Sequence, residues 1–340
     1  MSARISSKGI RRLAAKALLG GIGCLAVVAL AAPAAQAAFG FSQFGVSNTL
    51  GGEFSRQAGA HADLTTVVRF GLDESIRDIT VDFPPGMIGD PTVTERCTNE
   101  KLANGDKSFA DCPNNSQVGV VGIEASVNSP LQVTALYNIV QPADAPALLG
   151  FNYQGVIVYL KPNLRPASYA ISTVATDTTV GQPIAGIRVT LWAVPADSSH
   201  DSQRGISAGI YGEVASSTAP RLPFLTNPTS CPDVPTPFTG EITSWQGTGP
   251  LLAENSTDLE GTPFQWSGCE RLPFEPKMKV SPGTHRAAST TGLEFKVTVP
   301  QSEDPGGIAT DGIDFDICRR AYEQLVAACD TISRQVHACT

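Results

Sequence analysis

The sequence predicts an all-β protein whose main part is a β-sandwich, immunoglobulin-like or jelly-roll-like, with long loops. Three observations support this fold class. Charged residues make up only 16% of the 340 residues, and 32 glycines and 25 prolines supply many turns. Apolar residues also alternate at period two in many short runs, as in the strands of packed antiparallel sheets. The chain divides into residues 1–37, 38–276, 277–308 and 309–340.

Residues 1–37 have the three regions of a secretory signal peptide. Five cations precede an apolar run over about residues 17–32, and Ala35, Gln36 and Ala37 provide the small residues of a cleavage site. The apolar run is too short and too rich in glycine and alanine for a membrane span. We therefore expect a secreted protein, extracellular or associated with the cell surface, with no integral membrane segment after cleavage.

Cleavage makes the chain strongly acidic. The signal segment holds five of the 24 basic residues and none of the 32 acidic ones, so the mature chain has a net charge of −13. Such a surface repels phosphate backbones, and no basic stretch compensates for it locally. We expect no nucleic-acid partner. The partners that we expect are a cell-surface polymer or another surface protein.

The strands of residues 38–276 begin directly after the predicted cleavage site. Residues 39–46 suit a first strand, and residues 61–70 and 76–83 alternate at period two. Pro84-Pro85-Gly86 ends this ladder, because proline has no amide hydrogen to donate and glycine accepts turn angles. Further strands are predicted over residues 117–127, 131–140, 148–160, 168–174 and 184–194. A proline-rich flank over residues 221–276 is expected to be ordered and rich in loops.

Seven of the eight cysteines follow the predicted cleavage site. An exported chain meets an oxidising compartment, so pairing is expected. Proximity in the sequence predicts disulfides between Cys97 and Cys112 and between Cys231 and Cys269. Closing the first loop contributes about 3 kcal/mol in the chain-entropy model, and closing the second, longer loop contributes about 4 kcal/mol.

The C-terminal part predicts a second, incomplete unit. Residues 281–300 resemble residues 57–72, a weak repeat that indicates a partial second β-domain over residues 277–308. Residues 309–340 then change to helical spacing. This tail indicates a truncated or frame-shifted terminus, or else a genuine capping helix. It holds an odd set of cysteines, of which at least one is unpaired or bonds another chain: Cys318, Cys329 and Cys339.

One compact polar cluster suits a metal ion. Asp197, His200 and Asp201 combine carboxylates with an imidazole and could hold a divalent cation such as calcium. The alternative is a solvated turn rich in Asp and Ser, since no EF-hand pattern accompanies the cluster. No other cofactor is expected.

No motif predicts a catalytic residue. Residues 205–209 match G-x-S-x-G, but a polar loop precedes them and a strand-like segment follows, whereas a nucleophile elbow joins a strand to a helix. A platform for carbohydrate could be formed by Tyr153, Trp192, Trp245 and Trp266, although tryptophan in a sandwich more often belongs to the core.

Several motifs resemble one family. VDFPPGMIGDPT with CPNNSQVG, then VTLWAVPADSSHD, then PFLTNPTSC and GCERLPFEP resemble a group of large, uncharacterised secreted proteins of actinobacteria and their relatives. The likeness covers roughly residues 39–299. It implies a location outside the cell and repeated β-rich units, but no catalytic residues. In that group the unit continues to another strand and turn, whereas this chain departs from the pattern after Ile308.

These observations favour an exported structural or adhesive β-repeat protein of the cell surface or medium. The alternative is a secreted protein that binds or cleaves carbohydrate.

Overall fold

A computed structural model describes residues 38–71, 73–104, 109–180, 184–206, 215–273, 276–284, 286 and 291–298. One short helix, α1 (Asn99–Ala103), and sixteen strands lie within these residues: β1 (Phe41–Leu50), β2 (Glu53–Phe54), β3 (Asp63–Phe70), β4 (Ile76–Asp82), β5 (Ile88–Gly89), β6 (Gln117–Glu124), β7 (Gln132–Asn138), β8 (Leu149–Tyr153), β9 (Val156–Leu164), β10 (Ile171–Ala175), β11 (Gly186–Leu191), β12 (Leu225–Thr226), β13 (Phe238–Ser244), β14 (Leu251–Asn255), β15 (Lys277–Pro282) and β16 (Leu293–Thr298). Short 3-10 helices span Asn114–Ser116, Ser198–Gln203 and Cys269–Arg271. The predicted all-β fold class is confirmed.

Twelve strands form one antiparallel sheet in the order β14-β13-β4-β10-β9-β8-β7-β6-β11-β3-β1-β2. The sheet curls into two facing layers, and β9 belongs to both. Its first half pairs with β8 up to Leu160, and its second half pairs with β10 from Lys161 onward. On the opposite side, Asn255 Nδ2 of β14 donates to the Phe44 carbonyl of β1 at 3.0 Å. The architecture is therefore sandwich-like.

The prediction of one strand over residues 148–160 is wrong. Gln154 and Gly155 have φ angles of +53° and +88°, and they turn the chain between β8 and β9. Two consecutive residues with positive φ are typical of a tight type I′ hairpin turn. The continuous apolar character of this region concealed the turn, because both strands of the hairpin are apolar.

Aromatic rings fill one region between the layers. The ring centroids of Phe238 and Phe264 lie 5.1 Å apart, and Phe54 lies 5.4 Å from Phe264. Phe83 and Trp266 extend this group, each at 6.0 Å from a neighbouring ring. Edge-to-face and tilted pairs at these distances are favourable. We call these five residues the aromatic core.

A second core covers the outer face of β6 and β7. Helix α1 lies over this face between Cys97 and Cys112, and Leu102 of this helix is completely buried in a cluster with Ile139 and Trp192. The Thr98 side chain accepts from the Lys101 amide and caps α1. Every residue of β6 is consequently buried, since both of its faces are covered.

Both predicted cysteine pairs are present at bonding distance. The Cα atoms of Cys97 and Cys112 lie 5.3 Å apart, and those of Cys231 and Cys269 lie 6.0 Å apart. The second pair is in the proline-rich flank, where Trp266 is buried and donates from Nε1 to Thr236 Oγ1 at 2.9 Å. Two disulfides are typical of a protein outside the cytoplasm.

Strands β15 and β16 form a separate antiparallel hairpin. Met278 pairs with Val297 and Val280 with Phe295, so the apolar side chains share one face. These four side chains are exposed. The predicted second β-domain remains a prediction, because residues 299–308 lie outside the described part of the chain. The predicted signal peptide and the tail with Cys318, Cys329 and Cys339 lie outside it as well.

Across the described ranges, no helix has the length and apolar character needed to cross a membrane.

Candidate functional site

A cavity of about 400 Å³ lies between the two layers, beside the aromatic core. Inward-facing residues of β3, β4, β8, β9, β10 and β11 form most of its wall. Known small-molecule sites have volumes of roughly 300–1,000 Å³. The cavity is therefore large enough for a small organic ligand.

Strand β9 lines the cavity along its entire length. Alternate residues of this strand reach the wall, since neighbouring side chains of a strand point to opposite faces: Val156, Val158, Leu160, Pro162 and Leu164. A strand rises about 3.3 Å per residue, so these five positions extend over roughly 26 Å. The wall is long as well as apolar, which suits an extended ligand.

Strand β11 contributes wall residues of the same character. Ile187, Val189 and Leu191 alternate along β11 and all line the cavity. These three side chains are only half-buried, as are Val158 and Leu160 of β9. Inward-facing aliphatic residues of a filled sandwich are normally fully buried. Here they remain accessible because the two layers do not fill the space between them.

The cavity wall is mostly apolar. Among the described residues that line it there is no Asp, Glu, Lys, Arg or His. Two of its polar groups are already engaged: Tyr153 Oη donates to Gln132 Oε1 at 3.0 Å, and Thr178 Oγ1 donates to the Ile76 carbonyl at 2.6 Å. A charged group placed inside would lose its hydration without gaining a partner. The wall therefore favours uncharged, largely apolar ligands.

The cavity has a mouth where β9 ends and β10 begins. The turn between these strands is fixed by Arg165, whose Nη2 donates to the Phe83 carbonyl at 2.6 Å. The Tyr169 amide donates to the Arg165 carbonyl at 2.8 Å, and Tyr169 has a φ angle of +54°. The side chains of Ile88, Leu164 and Tyr169 line this end of the cavity and are exposed to solvent.

The predicted metal residues lie together on one turn, but arginines engage both carboxylates. Asp197 caps the 3-10 turn through the Ser199 amide and also accepts a bond from Arg221. Asp201 Oδ1 accepts from Arg204 Nε at 2.6 Å.

Within the described ranges, no group of three His, Cys, Asp or Glu side chains is placed to hold a metal ion. The hypothesis of a calcium site is therefore not supported.

His200 has a structural position in this cluster. Its ring stacks on Trp192 with centroids 4.5 Å apart, and its Nε2 lies 3.7 Å from Asp63 Oδ1. Burial is the main cause that lowers the pKa of His200 to about 4. Burial also raises the pKa of Asp63 to about 6, although the Ala193 amide donates to its carboxylate at 2.8 Å. These groups connect β3 to the loop that follows β11.

The predicted carbohydrate platform is not formed by these aromatic residues. Trp192 and Trp266 are only 1% and 2% exposed, and Tyr153 is buried in the cavity wall. Trp245 is 43% exposed, and its Nε1 donates to the Thr178 carbonyl at 2.9 Å. A platform for stacking sugars needs several accessible ring faces, and these four residues provide one.

The G-x-S-x-G match gains no structural support. The Gly205 amide donates to Gln117 Oε1 at 3.0 Å, and Ile206 is buried in the second core, on the outer face of β6 and β7. Residues 207–209, which include the serine, lie outside the described part of the chain.

Sequence reasoning predicted strands around the cavity but not the cavity itself. A signal was available in the wall strands: residues 156–164 and 184–191 supply aliphatic side chains to one face and no phenylalanine or tryptophan. Such a pattern is also compatible with a filled core, because the separation of two layers is not encoded in one strand.

The geometry is the available evidence for function. No protein-family model, no curated protein and no solved structure matches the chain.

Proposed function

We propose that the protein binds an uncharged, largely apolar small molecule between its two layers. The observation that carries this proposal is the long aliphatic wall of β9 and β11, which stays accessible around a cavity of about 400 Å³. Burying a methylene group contributes roughly 0.8 kcal/mol, so a ligand of about ten methylenes supplies about 8 kcal/mol before the costs of binding. That gain comes from burial alone and needs no charged anchor.

The surrounding structure supports a preformed site. β9 is hydrogen-bonded to β8 and to β10, and β11 is hydrogen-bonded to β3 and to β6. The aromatic core lies between the layers on one side of the cavity, and α1 with the Cys97–Cys112 disulfide covers the outer face of β6. A rigid wall reduces the ordering cost of binding.

The compartment in which the protein binds its ligand is a separate part of the proposal. The two disulfides support a compartment outside the cytoplasm, and secretion after cleavage of residues 1–37 stays a prediction from the sequence. We infer that the ligand is bound outside the cytoplasm, where an apolar molecule needs a protein to stay in solution. The predicted structural or adhesive role also stays a prediction, and the carbohydrate alternative is not favoured by the buried positions of Trp192 and Trp266.

Two neighbouring positions on β11 provide the test. Val189 faces the cavity, whereas Arg188 is exposed on the opposite face. The purified mature chain is titrated with the uncharged fluorophore N-phenyl-1-naphthylamine. We expect saturable binding that Val189→Trp weakens at least roughly tenfold, because the indole fills the cavity, while Arg188→Trp leaves the affinity unchanged.

Circular dichroism establishes that both variants are folded. Equal binding by both variants, or no saturable binding by the wild-type chain, would contradict the proposed function.

A further inference from the structure

The mouth of the cavity is unusually apolar for a solvent-exposed edge. Ile88, Leu164 and Tyr169 are 58%, 56% and 77% exposed, and all three also line the cavity. They come from separate segments: β5, the end of β9 and the turn before β10. Single exposed apolar residues are common, but a cluster around an opening is typical of a contact surface.

Tyr169 shows that the exposure is maintained by the backbone. Its φ angle of +54° lies in the left-handed region, which a glycine would adopt without strain and a bulky residue rarely adopts. The Tyr169 amide is bonded to the Arg165 carbonyl, and Arg165 in turn is bonded to the Phe83 carbonyl. The turn thus holds a large amphipathic side chain in solvent beside the opening.

The charges near the mouth indicate which surface it contacts. Arg165 Nη1 lies 3.4 Å from Asp82 Oδ2, so this cation is paired. Asp90 is exposed directly after β5, and the whole chain has a net charge of −8. The net negative charge of the chain repels an anionic surface, and Arg165 is already paired. Tyrosine and aliphatic side chains instead suit the interface of uncharged or zwitterionic lipids.

We propose that this mouth rests on a surface of zwitterionic lipids and that a single hydrocarbon chain passes from the lipid into the cavity. The inference rests on the proposed function for the occupant of the cavity, but the contact with lipid is a separate property. The cavity wall continues directly from the mouth along β9, so a chain that leaves the lipid stays in contact with apolar residues. The polar end of the molecule remains at the mouth, since the described wall carries no charged partner for it.

The first experiment measures co-sedimentation of the mature chain with phosphatidylcholine vesicles. Leu164→Ser removes apolar area at the mouth, and Tyr169→Asn does so while keeping a residue that tolerates positive φ. Leu252→Ser is the matched control, because Leu252 is 74% exposed on β14 and does not line the cavity. We expect the double variant at the mouth to bind vesicles roughly tenfold or more weakly, from the burial expected for two large side chains.

The Leu252→Ser control shows whether a loss of vesicle binding is specific to the mouth. The Leu252→Ser variant is expected to sediment like the wild-type chain. The proposal is overturned if the wild-type chain does not bind the vesicles, or if Leu252→Ser weakens binding as much as the substitutions at the mouth. It is also overturned if size-exclusion chromatography without lipid shows a dimer that the substitutions at the mouth dissociate, since the mouth would then contact a second copy.

A second measurement separates this proposal from the proposed function. N-phenyl-1-naphthylamine is added from solution, so its binding to the wild-type chain reports on the cavity in the absence of any lipid surface. If the chain binds vesicles but not this fluorophore, the cavity does not bind an apolar ligand. The mouth would then contact lipid, but the proposal that a hydrocarbon chain enters the cavity would be overturned. Binding of the fluorophore without vesicle binding would overturn the lipid contact and leave the proposed function standing.

Discussion

The aromatic core and the cavity occupy the same space between the two layers, yet only one of these regions is filled. Phe238 and Phe264 are fully buried and contact each other, whereas Val158 and Leu160 remain half-exposed. Phe238 lies on β13 and Phe264 lies in the segment after β14, whereas alternate residues of β9 and β11 line the cavity. We attribute the difference to side-chain volume: aromatic rings fill the gap in the aromatic core, and the aliphatic side chains of β9 and β11 leave part of it open.

The comparison also explains why the open region does not collapse. Strands β9 and β11 are each hydrogen-bonded to a neighbour on both sides, which limits the movement of their backbones. The aromatic core keeps the layers apart at one side. Four substitutions or pairs of substitutions test this comparison, and they follow from the largest expected effect to the smallest.

The largest effect is expected in the aromatic core. Phe264→Ala leaves a void among rings that cannot close around it, and such substitutions cost about 3–5 kcal/mol. Val158→Ala in the cavity wall removes atoms that have few neighbours, so it should cost less than about 1 kcal/mol. Urea denaturation of both variants measures the difference. Equal losses would show that the two regions are packed alike.

The disulfide-closed loop should give the next largest effect. Replacing Cys97 and Cys112 together by Ala releases a loop with a sequence separation of 15 residues. The expected loss is about 3 kcal/mol in the chain-entropy model. Affinity for N-phenyl-1-naphthylamine in the folded fraction should stay unchanged, because the loop covers the outer face and not the cavity. A large loss of affinity would show that the second core affects the shape of the cavity wall.

The Asp63 and His200 pair should give a smaller effect that depends on pH. The pKa of Asp63 is raised from 3.8 to about 6, so its contribution to stability is lost as the pH rises through this window. The pKa of His200 is lowered from 6.5 to about 4, so its contribution is lost as the pH falls. The two slopes oppose each other in the wild-type chain between about pH 4 and 6.

Single variants should separate these slopes. Asp63→Asn leaves the histidine, so stability should rise with pH between about 4 and 6, by at most about 1.4 kcal/mol per pH unit. His200→Gln leaves the aspartate, so stability should fall with pH over the same window. Thermal unfolding at several pH values measures both slopes. Slopes of the same sign in the two variants would contradict the assigned pKa directions.

The smallest effect is expected when the open region is filled. Val158→Phe adds apolar atoms to existing space and should change stability by less than about 1 kcal/mol. The same substitution at Val46, which is fully buried, should destabilise by about 1–3 kcal/mol because it overpacks a filled region. Denaturant midpoints of the two variants give the comparison. A comparable destabilisation at Val158 would mean that the cavity closes in solution.

Much of the fold could be predicted from local patterns. Alternation predicted β3, β4 and β11, and sequence proximity predicted the partners of Cys97 and Cys231. Tight turns were harder to predict, because Gln154-Gly155 interrupts a run that is apolar on both sides.

The candidate site could not be predicted, since it depends on the distance between two layers that meet only in the folded chain. The predicted metal cluster shows that residues close together in the sequence do not by themselves make a site. Asp197 and Asp201 are neighbours in the sequence, but Arg221 and Arg204 reach them only through the fold.

The most direct test of the central claim is a methyl NMR titration of the mature chain with an uncharged long-chain alcohol. Binding in the cavity predicts saturable shifts, at one equivalent, of the methyl signals of Val156, Val158 and Val189, with little change at Val46 and Val121 in the filled regions. No saturable shift, or shifts spread equally over the filled and open regions, would contradict the account.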